Sequence, residues 1–274
     1  MKITLVTGGT GIIGTAVACA LTGRVPLAVA ARHVRPGPDT RHLDYDDPAT
    51  YAEALADVGT LFLVAPPSDP RSADRAVPFV EAAAEAGVEH IVVNSAPVAG
   101  LSDDFPLARV ERAVQASGCA WTIVRNHWHM ANFTVGLFAP LVAGGELAIP
   151  VGNAGVPFVA PVDVGGVAAA VLAEPLSHAR AVYEVTGPRI LTVTEVAELL
   201  TTPTRPVRYE AIDDEDYLAR CAERGLPDDV AKYLLRLLTA VRNGWYTHTT
   251  GTVERLTGRA PTTFEEFLRT DGQR

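Results

Sequence analysis

Two imidazoles flank an indole at His127-Trp128-His129, within the stretch Arg125-Asn126-His127-Trp128-His129-Met130-Ala131-Asn132-Phe133. An imidazole can give or take a proton near neutral pH, and an indole offers a flat face on which an aromatic substrate can stack. If the stretch is extended, the two rings point to opposite sides, so one of His127 and His129 is expected to touch substrate. His-x-His spacing also suits zinc, but no third ligand stands nearby in sequence, and no metal site is expected. A second polar loop is Asn94-Ser95-Ala96-Pro97. There Ser95 could hydrogen-bond a substrate oxygen, although polar residues also simply end strands and begin turns. Gly244-Trp245-Tyr246-Thr247-His248 gathers further aromatic rings and reads as core in preference to a pocket roof. The acidic runs Asp213-Asp214-Glu215-Asp216 and Asp228-Asp229 precede helical patterns and read as charges complementing helix N-termini. Neither a hydrolase-type Ser, His and Asp spacing nor a P-loop is present.

The N-terminus carries the densest pattern. Thr7-Gly8-Gly9-Thr10-Gly11-Ile12-Ile13-Gly14 satisfies G-x-G-x-x-G through Gly9, Gly11 and Gly14, and G-x-x-G-x-x-G through Gly8, Gly11 and Gly14. A glycine permits the tight turn, Gly11 lets backbone amides approach a pyrophosphate, and Gly14 lets the next helix lie close to the strand. Thr7, Gly8, Gly9, Thr10, Gly11, Ile12, Ile13 and Gly14 are therefore expected to bind a dinucleotide. Cofactor type is read where the second strand ends. Arg32-His33 stands there with no acid before Asp39, and a guanidinium suits a 2′-phosphate, which favours NADP(H) over NAD(H). An exposed arginine at a strand end is the competing reading. Asp44, in the pair Asp44-Tyr45, could accept the adenine amino group or join Asp47 as a helix cap. Tyr45, Ala65 and Pro66 complete the expected cofactor residues together with Asn94, which could contact nicotinamide or ribose.

Positioning these groups falls to short β-branched runs that alternate with Ala-rich helical stretches up to about residue 125. Strands are expected at 3–7, 27–31, 61–65, 91–94 and 122–124, with a weaker one at 41–43. Helices are expected at 12–21, 48–55, 72–86 and 107–117, the last two closed by Gly87 and Gly118. An open parallel sheet takes its ligands outside the carboxyl ends of its strands, where the loops named above fall. Beyond 125 come Gly- and Pro-rich pieces, a helix at 164–172, a strand at 181–186, a helix at 194–200 and a helical block from about 213 to 242. The expected organisation is α/β: a doubly wound parallel sheet (Rossmann) over 1–150 and a smaller C-terminal substrate lobe over 151–274, with late segments returning to the sheet.

A chain of 274 residues, 48% hydrophobic and 20% charged, can bury a sizeable core. Its formal charge of -9 argues against a nucleic-acid partner. Cys19, Cys119 and Cys221 are odd in number and scattered, which argues against a disulfide framework and suits a reducing cytoplasm. No apolar run is long enough to span a bilayer, and the start of the chain reaches Gly8 too soon for a secretion signal. The expected partner is a small-molecule substrate, bound by a monomer or homodimer.

Several segments together resemble the NmrA-like, atypical short-chain dehydrogenase/reductase family. They are the glycine segment, Asp44-Tyr45, Thr122-Ile123-Val124-Arg125-Asn126 leading to Asn132-Phe133, Pro161-Val162-Asp163-Val164, and Leu256-Thr257-Gly258-Arg259-Ala260-Pro261 with Phe264-Glu265-Glu266-Phe267. The resemblance spans nearly the whole chain. It implies a nucleotide-binding lobe and a small substrate lobe. The activities it implies are those of NADPH-dependent quinone, triphenylmethane, isoflavone-type and ergot-alkaloid-type reductases, or of a redox-sensing regulator; a non-redox isomerase or cyclase is a further possibility. The chain departs from the ordinary pattern in one respect. Its two lysines are Lys2 and Lys232, so no Tyr-x-x-x-Lys pair exists, and where isoflavone-type reductases carry a lysine the sequence reads Pro106-Leu107-Ala108-Arg109-Val110-Glu111-Arg112. Arginine stays protonated and cannot replace lysine as an acid or base. Arg109 could still polarise a carbonyl, and it joins Ser95, His127 and His129 as an expected catalytic residue.

Overall fold

Runs of Val, Ile, Leu and Ala without polar alternation build strands that are covered on both faces. A computed structural model of the chain describes residues 2–33, 37, 39–66 and 68–271. In chain order the strands are β1 (Ile3–Thr7), β2 (Leu27–Ala31), β3 (Thr40–His42), β4 (Val58–Val64), β5 (His90–Ser95), β6 (Ala120–Asn126), β7 (Glu146–Ile149), β8 (Gly155–Val156), β9 (Ala181–Val185), β10 (Leu191–Thr192) and β11 (Arg208–Ala211). The helices are α1 (Ile12–Leu21), α2 (Tyr51–Leu55), α3 (Ser72–Glu85), α4 (Val98–Leu101), α5 (Pro106–Ala116), α6 (Ala139–Ala143), α7 (Pro161–Ala173), α8 (Val193–Leu200), α9 (Asp214–Glu223), α10 (Asp228–Arg242), α11 (Thr252–Thr257) and α12 (Phe264–Asp271).

Seven strands pair in parallel in the order β3-β2-β1-β4-β5-β6-β9. Successive side chains point to opposite faces. Leu5, Leu63, Ile91, Val93 and Ile123 share a core with Phe79 of α3 and Val110 of α5, whereas Val6, Phe62, Val92 and Val124 share another with Val17 of α1 and Val167 of α7. This is the expected doubly wound α/β sheet. Its winding direction reverses between β1 and β4, which leaves a crevice at their carboxyl ends. The late strand expected at 181–186 is β9, on the sheet edge beside β6, and α7 lies against α1.

A third core lies beyond the sheet, built from Met130, Phe133, Phe138, Leu147, Leu191, Leu238 and Phe264 among others. The helical block expected at 213–242 is two helices, α9 and α10. Gly225 takes a φ of +75° and Pro227 follows it, so the left-handed turn ends one helix before the next begins. Two small pairings, β7 with β11 and β8 with β10, were not expected, since strands of two to four residues give no periodic signal. Among the described residues no helix is long and apolar enough to cross a membrane.

Candidate functional site

β1 turns into α1 through the glycine segment. Gly8 takes a φ of +62°, which favours glycine, and its carbonyl accepts the Gly11 N–H at 2.9 Å. A Cβ on Gly14 would lie 2.1 Å from that same carbonyl oxygen, so only glycine lets the first turn of α1 press on the loop. Gly11 is the N-cap and supplies no side-chain cap, and the first N–H groups of a helix have no intrahelical partner. These amides, at the positive end of the helix dipole, make an anion site that a dinucleotide pyrophosphate fits. The site opens on a cavity of about 280 Å³ lined here by Gly8, Gly11, Ile12, Ile13 and Gly14.

Other residues expected at the cofactor support the loop instead of lining this cavity. Gly9 makes room for β2, since a Cβ on it would sit 2.7 Å from Val29 Cβ. Thr10 is exposed. Thr7 is fully buried; its hydroxyl accepts the Val64 N–H at 2.8 Å and lies 2.9 Å from the Tyr45 hydroxyl, which also reaches the Val64 carbonyl at 3.1 Å. Burial pushes the Tyr45 phenol up, so it remains a donor. Asp44 accepts the Asp46 N–H at 3.0 Å and Asp47 accepts that of Ala49 at 3.1 Å, so both serve the turn before α2. Ala65 and Pro66 leave their place in the cavity wall to Val64 and Ser68. Arg32 is exposed one residue past β2 and has no hydrogen bond or ion pair among the described residues.

The next wall is set by the ends of β5 and β6, where Ser95 pairs in register with Arg125. Ser95 donates to Glu111 Oε1 at 2.5 Å, and Arg125 clasps the same carboxylate through Nε at 3.0 Å and Nη2 at 2.6 Å. Glu111 is 4% exposed. A carboxylate buried this deeply needs such a bidentate partner, and hydrogen bonding to Glu111 in turn raises the Arg125 pKa. Gly100 leaves space for the guanidinium, because a Cβ there would fall 2.0 Å from Arg125 Nη1. The expectation for Ser95 is corrected accordingly: with its proton committed to Glu111, its hydroxyl offers the cavity an acceptor, not a donor. Asn126 donates to Asn94 Oδ1 at 2.6 Å, which leaves Asn126 Oδ1 buried without a partner; both asparagines line the cavity.

His127 and His129 both line the cavity. Burial pushes His129 down to about 4 and lowers His127, so the imidazole expected to exchange a proton near neutral pH is instead a neutral ring with a single N–H. His127 Nε2 faces Glu184 Oε2 at 3.8 Å, and His248 Nε2 sits 2.6 Å from the same oxygen. The His127 and His248 imidazoles facing it hold the Glu184 carboxyl below its usual range.

α10 and the loop after it roof the cavity with Tyr233, Leu234, Leu237 and Tyr246, facing Trp128, which stacks on Phe138 at 5.6 Å and 10°. Burial pushes Tyr233 up to about 12 and raises Tyr246, so both phenols stay protonated. Tyr246, read from the sequence as core, is both buried and part of this lining. Arg109 is corrected outright. It lies half-exposed on the outside of α5 and pairs with Asp74 of α3 at 2.9 Å, outside the cavity lining. The two lysines are also elsewhere, Lys2 on Glu89 at 2.7 Å and Lys232 on Asp228 at 2.8 Å.

An uncapped helix N-terminus behind a glycine turn, opening on an aromatic-walled chamber at the switch point of a doubly wound sheet, defines the Rossmann-type nucleotide-binding class. Within it, the chain belongs to the NmrA-like family, whose model matches residues 1–268. It is 32% identical over 281 residues to NAD(P)H azoreductase of Xenophilus azovorans, covering 97% of this chain and 96% of that one. With prestalk A differentiation protein A of Dictyostelium discoideum it shares 31% identity over 278 residues, covering 97% and 91%. The structure of the NADPH-dependent quinone oxidoreductase QOR2 of Escherichia coli with NADPH superposes with a TM-score of 0.84 at 26% identity, covering 98% of this chain and 100% of that one.

Proposed function

We propose that the protein is an NADPH-dependent reductase of small, flat conjugated compounds, such as quinones, azo compounds and aromatic or conjugated carbonyls and imines. One observation carries this reading: the uncapped N-terminus of α1 and the aromatic wall of Trp128 and Tyr246 line a single cavity. The azoreductase and quinone oxidoreductase relatives support it. NADPH, when bound, supplies the hydride. The first-turn amides of α1 hold its pyrophosphate, and the unpartnered Arg32 guanidinium takes the 2′-phosphate. Asn126 Oδ1 accepts a hydrogen bond from a bound molecule, which relieves its buried, unpaired state. Trp128 and Tyr246 offer a planar substrate an aromatic wall and keep water from it. A neutral His129 N–H or the Tyr246 hydroxyl hydrogen-bonds the substrate heteroatom on which negative charge develops, and solvent supplies the proton afterwards, so the reaction does not call on lysine.

The reading is tested by following NADPH oxidation with a panel of quinones, azo dyes and enones. Turnover is expected with at least one class, and His129→Ala or Tyr246→Phe is expected to lower kcat by about 10²–10³ where that group holds the developing charge. If both variants turn over fully, neither group stabilises that charge. A second reading, an NADP(H) sensor without catalysis, draws on the commitment of the Ser95 proton to Glu111. Tight NADPH binding with no turnover across the panel would favour it.

A further inference from the structure

We propose that His127, Glu184 and His248 form a site for a divalent transition metal of the zinc type, a property separate from the reductase reading. One ligand atom each of His127, Glu184 and His248 lies within 4.8 Å of the other two. They come from three parts of the chain: the end of β6, the edge strand β9, and the loop between α10 and α11. The His127 and His248 rings stand at 90° with centroids 5.5 Å apart, both nitrogens aimed at one carboxylate oxygen.

The contact between His248 and Glu184 would explain the carboxylate by itself, but it leaves His127 unexplained. That side chain is fully buried, and among the described residues both of its ring nitrogens lack a hydrogen-bond partner. Burying a polar nitrogen unpaired is costly, and a cation shared among the three donors removes that cost for Nε2. Two imidazoles and one carboxylate suit zinc, cobalt or nickel in preference to magnesium or calcium. Tetrahedral bonds of about 2.0–2.1 Å place donor atoms roughly 3.3–3.5 Å apart. The 3.8 Å and 2.6 Å separations to Glu184 lie on either side of that span, and His248, its side chain 54% exposed, is free to make the adjustment. Its exposure leaves the fourth position to water.

The loop that carries His248 is held in place independently of any ion. Thr250 donates its N–H to Thr186 Oγ1 at 2.9 Å and its hydroxyl to the Glu184 carbonyl at 2.7 Å. An ion would add a second tie between this loop and β9, and it would fix a ring that also lines the cavity. The sequence pairs His127 with His129, yet His127 finds its partners on distant elements.

The test uses the untagged full chain, stripped with a chelator and titrated with Co²⁺ by visible absorption and with Zn²⁺ by calorimetry. One equivalent of each is expected, with Zn²⁺ displacing Co²⁺. His248→Ala and Glu184→Gln are each expected to weaken Co²⁺ binding by at least about tenfold, since losing even an outer-shell partner of a ligand typically costs 10–100-fold. The surface variant His42→Ala is expected to bind as the parent does. Because His248 is exposed, its variant keeps the fold, and unchanged thermal unfolding of the metal-free variant verifies this. Absence of Co²⁺ binding by the parent, or equal binding by parent and His248→Ala, overturns the proposal. Neither result bears on the reductase reading, which is measured as NADPH turnover by metal-free protein.

Discussion

The two sides of the cavity are built by different means. On the proposed cofactor side a few consecutive residues, Gly8 to Gly14, act through backbone: a positive φ, a missing Cβ and unpaired amides. On the proposed substrate side the wall is assembled from Asn94, Ser95, His127, Trp128, Tyr233 and Tyr246, each held by packing or by partners far away in sequence. A defect on the first side should therefore abolish one function locally. A defect on the second should appear first as lost stability or changed substrate choice.

Gly14→Val gives the largest expected effect. Its side chain would enter the space of the Gly8 carbonyl, and NADPH binding measured by fluorescence or calorimetry should disappear. Normal binding by that variant would remove the basis for the contrast. Arg125→Ala comes next. It strands Glu111 as an uncompensated buried charge, which costs about 3–5 kcal/mol. At roughly 2–4 °C per kcal/mol for a chain of this size, the Tm should fall by about 6–20 °C. The double variant Arg125→Leu with Glu111→Leu should recover most of that loss, since an apolar pair can replace a buried ion pair.

Arg32→Ala sharpens the comparison from the cofactor side. Loss of a charge-assisted pairing worth about 1.5–3 kcal/mol should weaken NADPH roughly 10–150-fold and leave NADH unchanged, without altering Tm. Equal loss for both nucleotides would place the 2′-phosphate elsewhere. Thr192→Ala probes a local device in the C-terminal half of the chain, the capping box in which Thr192 and Glu195 exchange hydrogen bonds at the start of α8. It should cost about 1 kcal/mol at pH 7. The bond from the Thr192 N–H lowers the Glu195 pKa, so its contribution is present above the usual glutamate range and fades as pH falls through it. Thr192→Ala keeps that bond and removes the one from the Thr192 hydroxyl to the same carboxylate, so only the hydroxyl's part of the cost should shrink in the same direction. Arg109→Ala should do least. Its exposed pair with Asp74 is worth at most about 1 kcal/mol, and turnover should not change.

The same division explains what could be read from the sequence. The glycine spacing, β1, α1 and the position of Arg32 are local patterns, and they occur in the structure where the sequence places them. Arg109 was misplaced by rotation about a helix axis. Leu107, Val110, Glu111 and Val114 form the buried stripe of α5, and Arg109, two residues from Leu107 and from Glu111, falls on the opposite side. The signal that went unused was Glu111 itself, a carboxylate at an apolar position of that stripe. No local pattern could reveal that Tyr246 meets His127, or that Glu184 and His248 approach the same ring, because chain segments far apart in sequence bring them together.

The central claim, that one cavity brings a nicotinamide and a flat substrate together for reduction, is tested most directly by single turnover. Protein loaded with one equivalent of NADPH is mixed with a quinone, an azo dye or an enone, and loss of the reduced nicotinamide signal is followed against product formation. NADPH and substrate are expected to disappear together, one for one where the substrate takes a single hydride, with no reaction in Gly14→Val. Bound NADPH that persists unoxidised in the presence of every substrate class would contradict the claim.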